Sequence, residues 1–196
     1  MKTELSTERR ILDAAIQCIE MVGIQAATIR KIAQIAGVNS AAINYYFRSK
    51  DALLDRVLAA TTENAFGDWE RLIEDPTIPV VDRLRSILLE ALEGTQQFPN
   101  LVKAHLHGPI MNSDYETVFA KRFRAFMVRA RDALTQALPG NLDNLENRLV
   151  ALFSATFGMG LLRGLFSEYT GADLGRPESR AVYLELLLRH FLGGES

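Results

Sequence analysis

The chain is predicted to be all-α, and three observations carry that prediction. Apolar residues recur at helical spacing through most of the 196 residues. No stretch shows the sustained apolar–polar alternation of a half-buried strand. The periodic segments are bounded by capping residues at their starts and by glycine or proline at their ends. The predicted architecture is an N-terminal three-helix head built around a helix-turn-helix, residues 1–53, followed by a larger helical body, residues 54–196, with about nine helices in all.

In the first helix Thr7 is expected to cap and Glu8 to sit in the first turn. Leu12, Ala15, Ile16, Ile19 and Val22 then share one face until Gly23 ends it. Thr28 is expected to cap a short second helix, Ile29 to Ile35, with Gly37 able to take the left-handed backbone just past its end. Asn39 caps a third helix running to about Tyr46. Ser49, Lys50 and Asp51 open a long fourth helix through Leu53, Leu54, Val57 and Leu58, ending by residue 74. It passes from head to body without a Pro or Gly linker, which predicts rigid coupling. Pro76 and Pro79 then break the pattern. Further helices are predicted over Val80–Gln97, Asn100–His107, Asp114–Leu138, Leu142–Tyr169 and Pro177–Leu192.

The bulk properties narrow the function. Hydrophobic residues make up 48% and charged residues 23%, an ordinary globular balance. Cys18 is the one cysteine, so no internal disulfide forms and a reducing cytoplasm suits the chain. The first twenty residues mix acidic and basic charges without the apolar core of a signal peptide. The longest uncharged apolar stretch, Leu149–Leu162, has 14 residues, short of the roughly 18 that suggest a membrane span. No membrane partner is expected. The net charge of −2 conceals an asymmetry: residues 1–60 carry +2 and the remainder −4. Between Thr28 and Lys50 stand Arg30, Lys31, Arg48 and Lys50 and no carboxylate. Such a head would be drawn first toward a polyanion.

Two short helices separated by a glycine turn form a helix-turn-helix when the second packs across the first. Ala33 allows close approach, Gly37 makes the turn and Ile43 anchors the second helix. Ser40, Ala41, Asn44 and Tyr45 then project outward. Asn44 can read base edges, Ser40 can bond bases or phosphates, and Ala41 can touch a thymine methyl. Tyr45, Tyr46 and Lys50 suit phosphate clamping, helped by the amides at helix N-termini beginning at Thr28, while Arg30 can reach a phosphate or guanine. Adjacent Tyr45 and Tyr46 cannot both face inward, so one is expected half-buried; Phe47 belongs in the core.

TERRILDAA, Gly23, TIRKIA, AGVNSAAINYYF and KDALL, in this order and at these separations, closely resemble the DNA-binding head of the tetracycline-repressor (TetR) family of bacterial transcriptional regulators, over residues 7 to 58. Asn39 replaces a common serine and Asn44 a common tyrosine. The resemblance implies a homodimeric, ligand-responsive regulator, usually a repressor, binding double-stranded operator DNA and carrying a divergent helical effector domain.

The body is read from its own residues. Candidate effector contacts are Trp69, His105, Met111, Phe123, Met127 and Phe157, side chains suited to an apolar pocket with a few polar groups and equally to a helical core. His105 and His107 are two apart on a helix and cannot share one metal; with no cysteine pair or carboxylate cluster, no metal and no cofactor is expected. GMGLLRG follows no strand and lies inside a helical segment, so no phosphate loop is expected there. Gly160 and Gly164 lie one turn apart, so a four-helix dimer interface is expected from Phe153, Phe157, Gly160, Leu161 and Gly164 together with Tyr183, Leu187 and Phe191. Two alternatives stand beside the regulator. An enzyme with a DNA-targeting head is disfavoured because no paired nucleophile and base, metal cluster or cofactor loop appears, so no catalytic residue is assigned. A ligand-independent structural DNA binder is disfavoured by the acidic whole.

Overall fold

A computed structural model describes residues 6–138, 143–171 and 173–193. Among them lie ten helices and no strand: α1 Thr7–Val22, α2 Ile29–Ala36, α3 Ser40–Phe47, α4 Lys50–Glu74, α5 Val80–Gln97, α6 Pro99–Asn112, α7 Val118–Ala137, α8 Leu145–Leu161, α9 Arg163–Thr170 and α10 Pro177–Leu192. They form two compact units. One comprises residues 1–64 and 98–121, the other residues 65–97 and 122–196. The division falls within α4 and α7.

In the first unit the helix starts follow side-chain oxygen chemistry. Ser6, one residue earlier than expected, caps α1 by accepting from the Arg9 amide at 3.2 Å. Thr28, Asn39 and Ser49 accept from the amides three residues on, at 3.3, 2.8 and 3.1 Å. α6 has no cap of its own at Phe98. Instead the Glu20 carboxylate of α1 accepts from the Asn100 and Leu101 amides, each at 3.1 Å, placing negative charge at the positive helix end. α6 also continues through Gly108–Pro109 to Asn112, beyond the expected stop at His107, because Pro109 deletes one backbone bond without ending the surrounding packing. The core joins Ile11, Ile19, Ile32, Ile43, Leu53 and Val57, all fully buried.

In the second unit α5 packs on α8 and α10, and α8 on α10. Rings from Phe66, Trp69, Phe123, Phe126, Phe153 and Phe157 interlock mostly edge-to-face, with centroids 5.0 Å apart for Phe66–Trp69 and 5.5 Å for Phe123–Phe153. The single helix expected over Leu142–Tyr169 is two helices: Leu142 lies outside the described residues, and Leu162, at φ −104° and ψ 20°, turns the chain by 89° between α8 and α9. Gly158, Gly160 and Gly164 weaken this segment as a continuous helix. The break accounts for ten helices where about nine were expected. No single described helix is long and apolar enough to cross a membrane.

Gly160 has a specific steric reason. A Cβ there would stand 2.1 Å from Thr95 Oγ1 and 2.8 Å from Thr95 Cβ, and Thr95 is buried in α5 with its hydroxyl donated to the Leu92 carbonyl. Gly160→Ala is therefore expected to cost about 2 kcal/mol in urea unfolding, overpacking outweighing the gain in helix propensity. Thr95→Gly in the same chain should restore part of it. Unchanged stability would mean that Thr95 swings aside.

Candidate nucleic-acid interface

The turn between α2 and α3 is held from both sides. Gly37 adopts φ 64° and ψ 38°, and the Val38 amide donates to the Ala33 carbonyl at 3.0 Å, closing the end of α2. From α1, Arg10 Nη2 donates to the Ala36 carbonyl at 2.7 Å, a cation on the negative end of α2. Ile43 at 0% and Phe47 at 7% exposure fix one side of α3 in the core. Ser40, Ala41, Asn44 and Tyr45 consequently form its solvent side, and all four are exposed.

Tyr45 is 81% exposed and Tyr46 44%, their rings meeting edge-to-face at 5.3 Å. Tyr45 faces water and Tyr46 is the half-buried ring of the pair, as expected; Phe47 takes the inward position as expected. Lys50 opens α4, half-buried, and Arg30 and Thr28 are exposed at the start of α2. Arg48 bridges α3 and α4 at φ 65°, a conformation that side chains seldom adopt. Lys31 Nζ is turned back to the Ala26 carbonyl at 3.1 Å. Thr28, Arg30, Ser40, Ala41, Asn44, Tyr45, Tyr46 and Lys50 thus lie on one short stretch of α2, α3 and the start of α4, with no carboxylate between Thr28 and Lys50.

The other expected residues are dispersed. His105 and Met111 belong to the first unit; Trp69, Phe123, Met127 and Phe157 belong to the second. Met111 is 69% exposed, whereas Trp69, Phe123 and Phe157 are members of the packed ring cluster. Of the residues expected between protomers, Phe153 is buried in that cluster, Leu187 is buried, Gly160 spends its small size on Thr95, and the Tyr183 hydroxyl donates to the Ala155 carbonyl at 3.0 Å. Leu161 and Phe191 are partly exposed and Gly164 is exposed. The large apolar side chains that do face water on α8 and α10 are Val150, Val182 and Leu186. The i, i+4 spacing of Val182 and Leu186 was the available signal, masked by the richer leucine face beside it.

His105 is held by α4. The Thr61 hydroxyl donates to the Val57 carbonyl at 2.9 Å, so it accepts from His105 Nε2 at 3.1 Å. Nδ1 is then the acceptor for the Thr62 hydroxyl at 3.3 Å. Burial lowers the His105 pKa to about 4, so the ring is neutral at neutral pH. His107 Nε2 lies 3.2 Å from the Gln25 amide nitrogen. Among the described residues no group of three or more His, Cys, Asp or Glu side chains could hold a metal ion.

Residues 11–57 match the family described as bacterial regulatory proteins, tetR family. The HTH-type transcriptional regulator BetI of Escherichia coli K12 is 33% identical over 99 residues, 50% of this chain and 51% of that protein. The chain thus spans about half the length of the curated relatives it matches. Among solved structures, a TetR-family transcriptional regulator from Mesorhizobium loti has a TM-score of 0.70 at 15% identity, covering 95% of both chains. SmeT, repressor of the Stenotrophomonas maltophilia multidrug efflux pump SmeDEF, has a TM-score of 0.65 at 22% identity, covering 94% of this chain and 90% of its own. These two establish likeness of fold.

Proposed function

We propose that the chain, whose residues 11–57 match the family of tetR bacterial regulatory proteins, is a cytoplasmic, ligand-responsive, sequence-specific transcriptional regulator, a repressor released from its operator by a small-molecule effector. Residues 1–53 act as the DNA-binding domain and 54–196 as the effector and dimerisation domain. The observation that carries this reading is the division of α3: Ile43 and Phe47 buried, Ser40, Ala41, Asn44 and Tyr45 exposed. An eight-residue helix with one anchored side and one polar-aromatic side, followed three residues on by Lys50 at the start of α4, suits a major groove flanked by phosphates. Two copies would present their α3 helices about 34 Å apart, or a multiple of this, on a palindromic site. The exposed Val150, Val182 and Leu186 supply the apolar contact between copies in place of the buried Phe153 and Gly160.

The test is duplex binding by fluorescence anisotropy across a genomic fragment library and a salt series. Lys50→Ala should weaken every duplex alike and reduce the salt slope by about one unit, whereas Asn44→Ala should relax sequence preference and leave the slope. A wild-type chain that selects no fragment at moderate salt, with or without metabolites, would remove the proposal.

A further inference from the structure

The first unit contains a cavity of about 640 Å³, bounded by α4, α6, the α1–α2 loop and the turn before α7. Its floor is apolar: Ile24, Leu54, Leu58 and the ring of Phe119. His105 lies parallel to that ring, centroids 5.7 Å apart and planes at 29°, and is neutral for the reasons given above. The charges on the wall are unbalanced. Asp51, Asp55, Asp114 and Glu116 face the cavity against Lys50 alone. Glu116 is met by Lys121 at 3.2 Å, outside the wall, and one Asp114 oxygen accepts from the Glu116 amide at 2.9 Å.

Asp51 and Asp55 stand one turn apart on α4, a like-charged i, i+4 pair that opposes helix formation. Neither has an ion-pair partner among the described residues. An apolar floor alone would accept any greasy molecule. The exposed carboxylates of Asp51 and Asp55 at its edge select by charge, repelling an acid and attracting a base.

We propose that this cavity binds a small organic cation, an aliphatic amine whose carbon chain lies on Leu54, Leu58 and Phe119 and whose ammonium group is held by Asp51 and Asp55. The occupant touches the head at two places. Gln25 lies three residues before the Thr28 cap of α2, and Lys50 begins α4 directly after the α3 corner. Binding therefore reaches both helices that flank α3 without passing through the second unit. This deepens the effector reading above and rests on it only for the consequence at DNA.

The site is tested on the full chain without DNA, by isothermal titration calorimetry with hexylammonium chloride, and with hexanoate and hexanol as charge controls of equal chain length. The expected result is saturable binding of hexylammonium at one per chain, with no heat from hexanoate. Asp51→Asn with Asp55→Asn should weaken it about fivefold, the scale of a partly exposed ion pair, and Leu58→Trp, filling the cavity, should abolish it. Both variants leave the buried core residues in place, and circular dichroism checks that they fold. No hexylammonium binding up to millimolar concentration, or binding indifferent to both variants, overturns the site; equal binding of hexanoate or hexanol overturns the charge assignment. A wild-type chain that binds hexylammonium as expected but selects no DNA would sink the regulator reading and leave this one standing.

Discussion

Ile43→Ala is expected to lower the stability of the first unit by about 3 kcal/mol, the usual loss for truncating a fully buried isoleucine, and to abolish DNA binding. Ile43 is 0% exposed and lies in the cluster with Ile32, Ala33, Phe47 and Leu53. It is the central anchor of α3, and only Phe47 shares that role from the same helix. Removing three carbons leaves a cavity that an eight-residue helix, tethered by a left-handed glycine on one side and the Arg48 corner on the other, cannot collapse without moving. Ile43→Val should cost about 1 kcal/mol and retain binding. Asn44→Ala makes the contrast: an exposed side chain one residue away, expected within about 0.5 kcal/mol of the parent in stability yet altered in sequence preference. Urea unfolding and anisotropy on the same samples separate the two. An Ile43→Ala chain that bound its duplex with parental affinity would show that α3 is not held by its core side.

The head was legible in the sequence because its constraints are local. Thr28, Gly37 and Asn39 act within four residues of where they stand, so spacing alone predicts two short helices and the turn between them, and buried Ile43 and Phe47 follow from the period. The body was legible only as helices. The starts of α5 and α10 were marked by Pro79 and Pro177, but the break at Leu162 depends on a bend that period counting does not register in an uncharged apolar run. Two of the residues expected between copies, Gly160 and Phe153, are used within their own chain. A small residue permits close approach without naming the partner, and Gly160 meets Thr95 of its own chain. Phe153 illustrates the same ambiguity, since an aromatic side chain on a helix serves a core as readily as a contact surface. Glu20 capping α6 across eighty residues of sequence had no local signature at all.

That capping contact gives α6 an importance the sequence did not suggest. Its N-terminus is bonded to α1 through Glu20, its middle to α4 through His105, and His107 reaches Gln25 in the loop before α2. Every one of these bonds joins α6 to an element that shapes the head. A change in α6 is therefore felt by the head at three points, and at His105 burial of the ring makes its own titration a reporter of the contact.

The stability of the chain is expected to fall by about 3 kcal/mol more between pH 6.5 and pH 4 than that of His105→Asn, a pKa difference of this size being worth 1.36 kcal/mol per unit. The sign follows from proton binding. In the unfolded chain the imidazole protonates near its ordinary value of 6.5, whereas burial holds the folded ring at about 4. Between those values the unfolded state carries a proton that the folded state lacks, so stability decreases as pH falls through the window and is unaffected above it. Carboxylates titrate in the same range, but they are common to both proteins and cancel in the difference. The ring itself supplies a second readout: its Cε1–H resonance should titrate near pH 4 in the folded protein. Parallel stability curves, or a resonance midpoint at the ordinary value, would contradict the largely buried neutral ring with Nε2–H donating to Thr61. A midpoint near 4 would mean that the bond between α6 and α4 persists unprotonated across the whole physiological range, leaving occupancy of the adjacent cavity, rather than acidity, as the means of disturbing it.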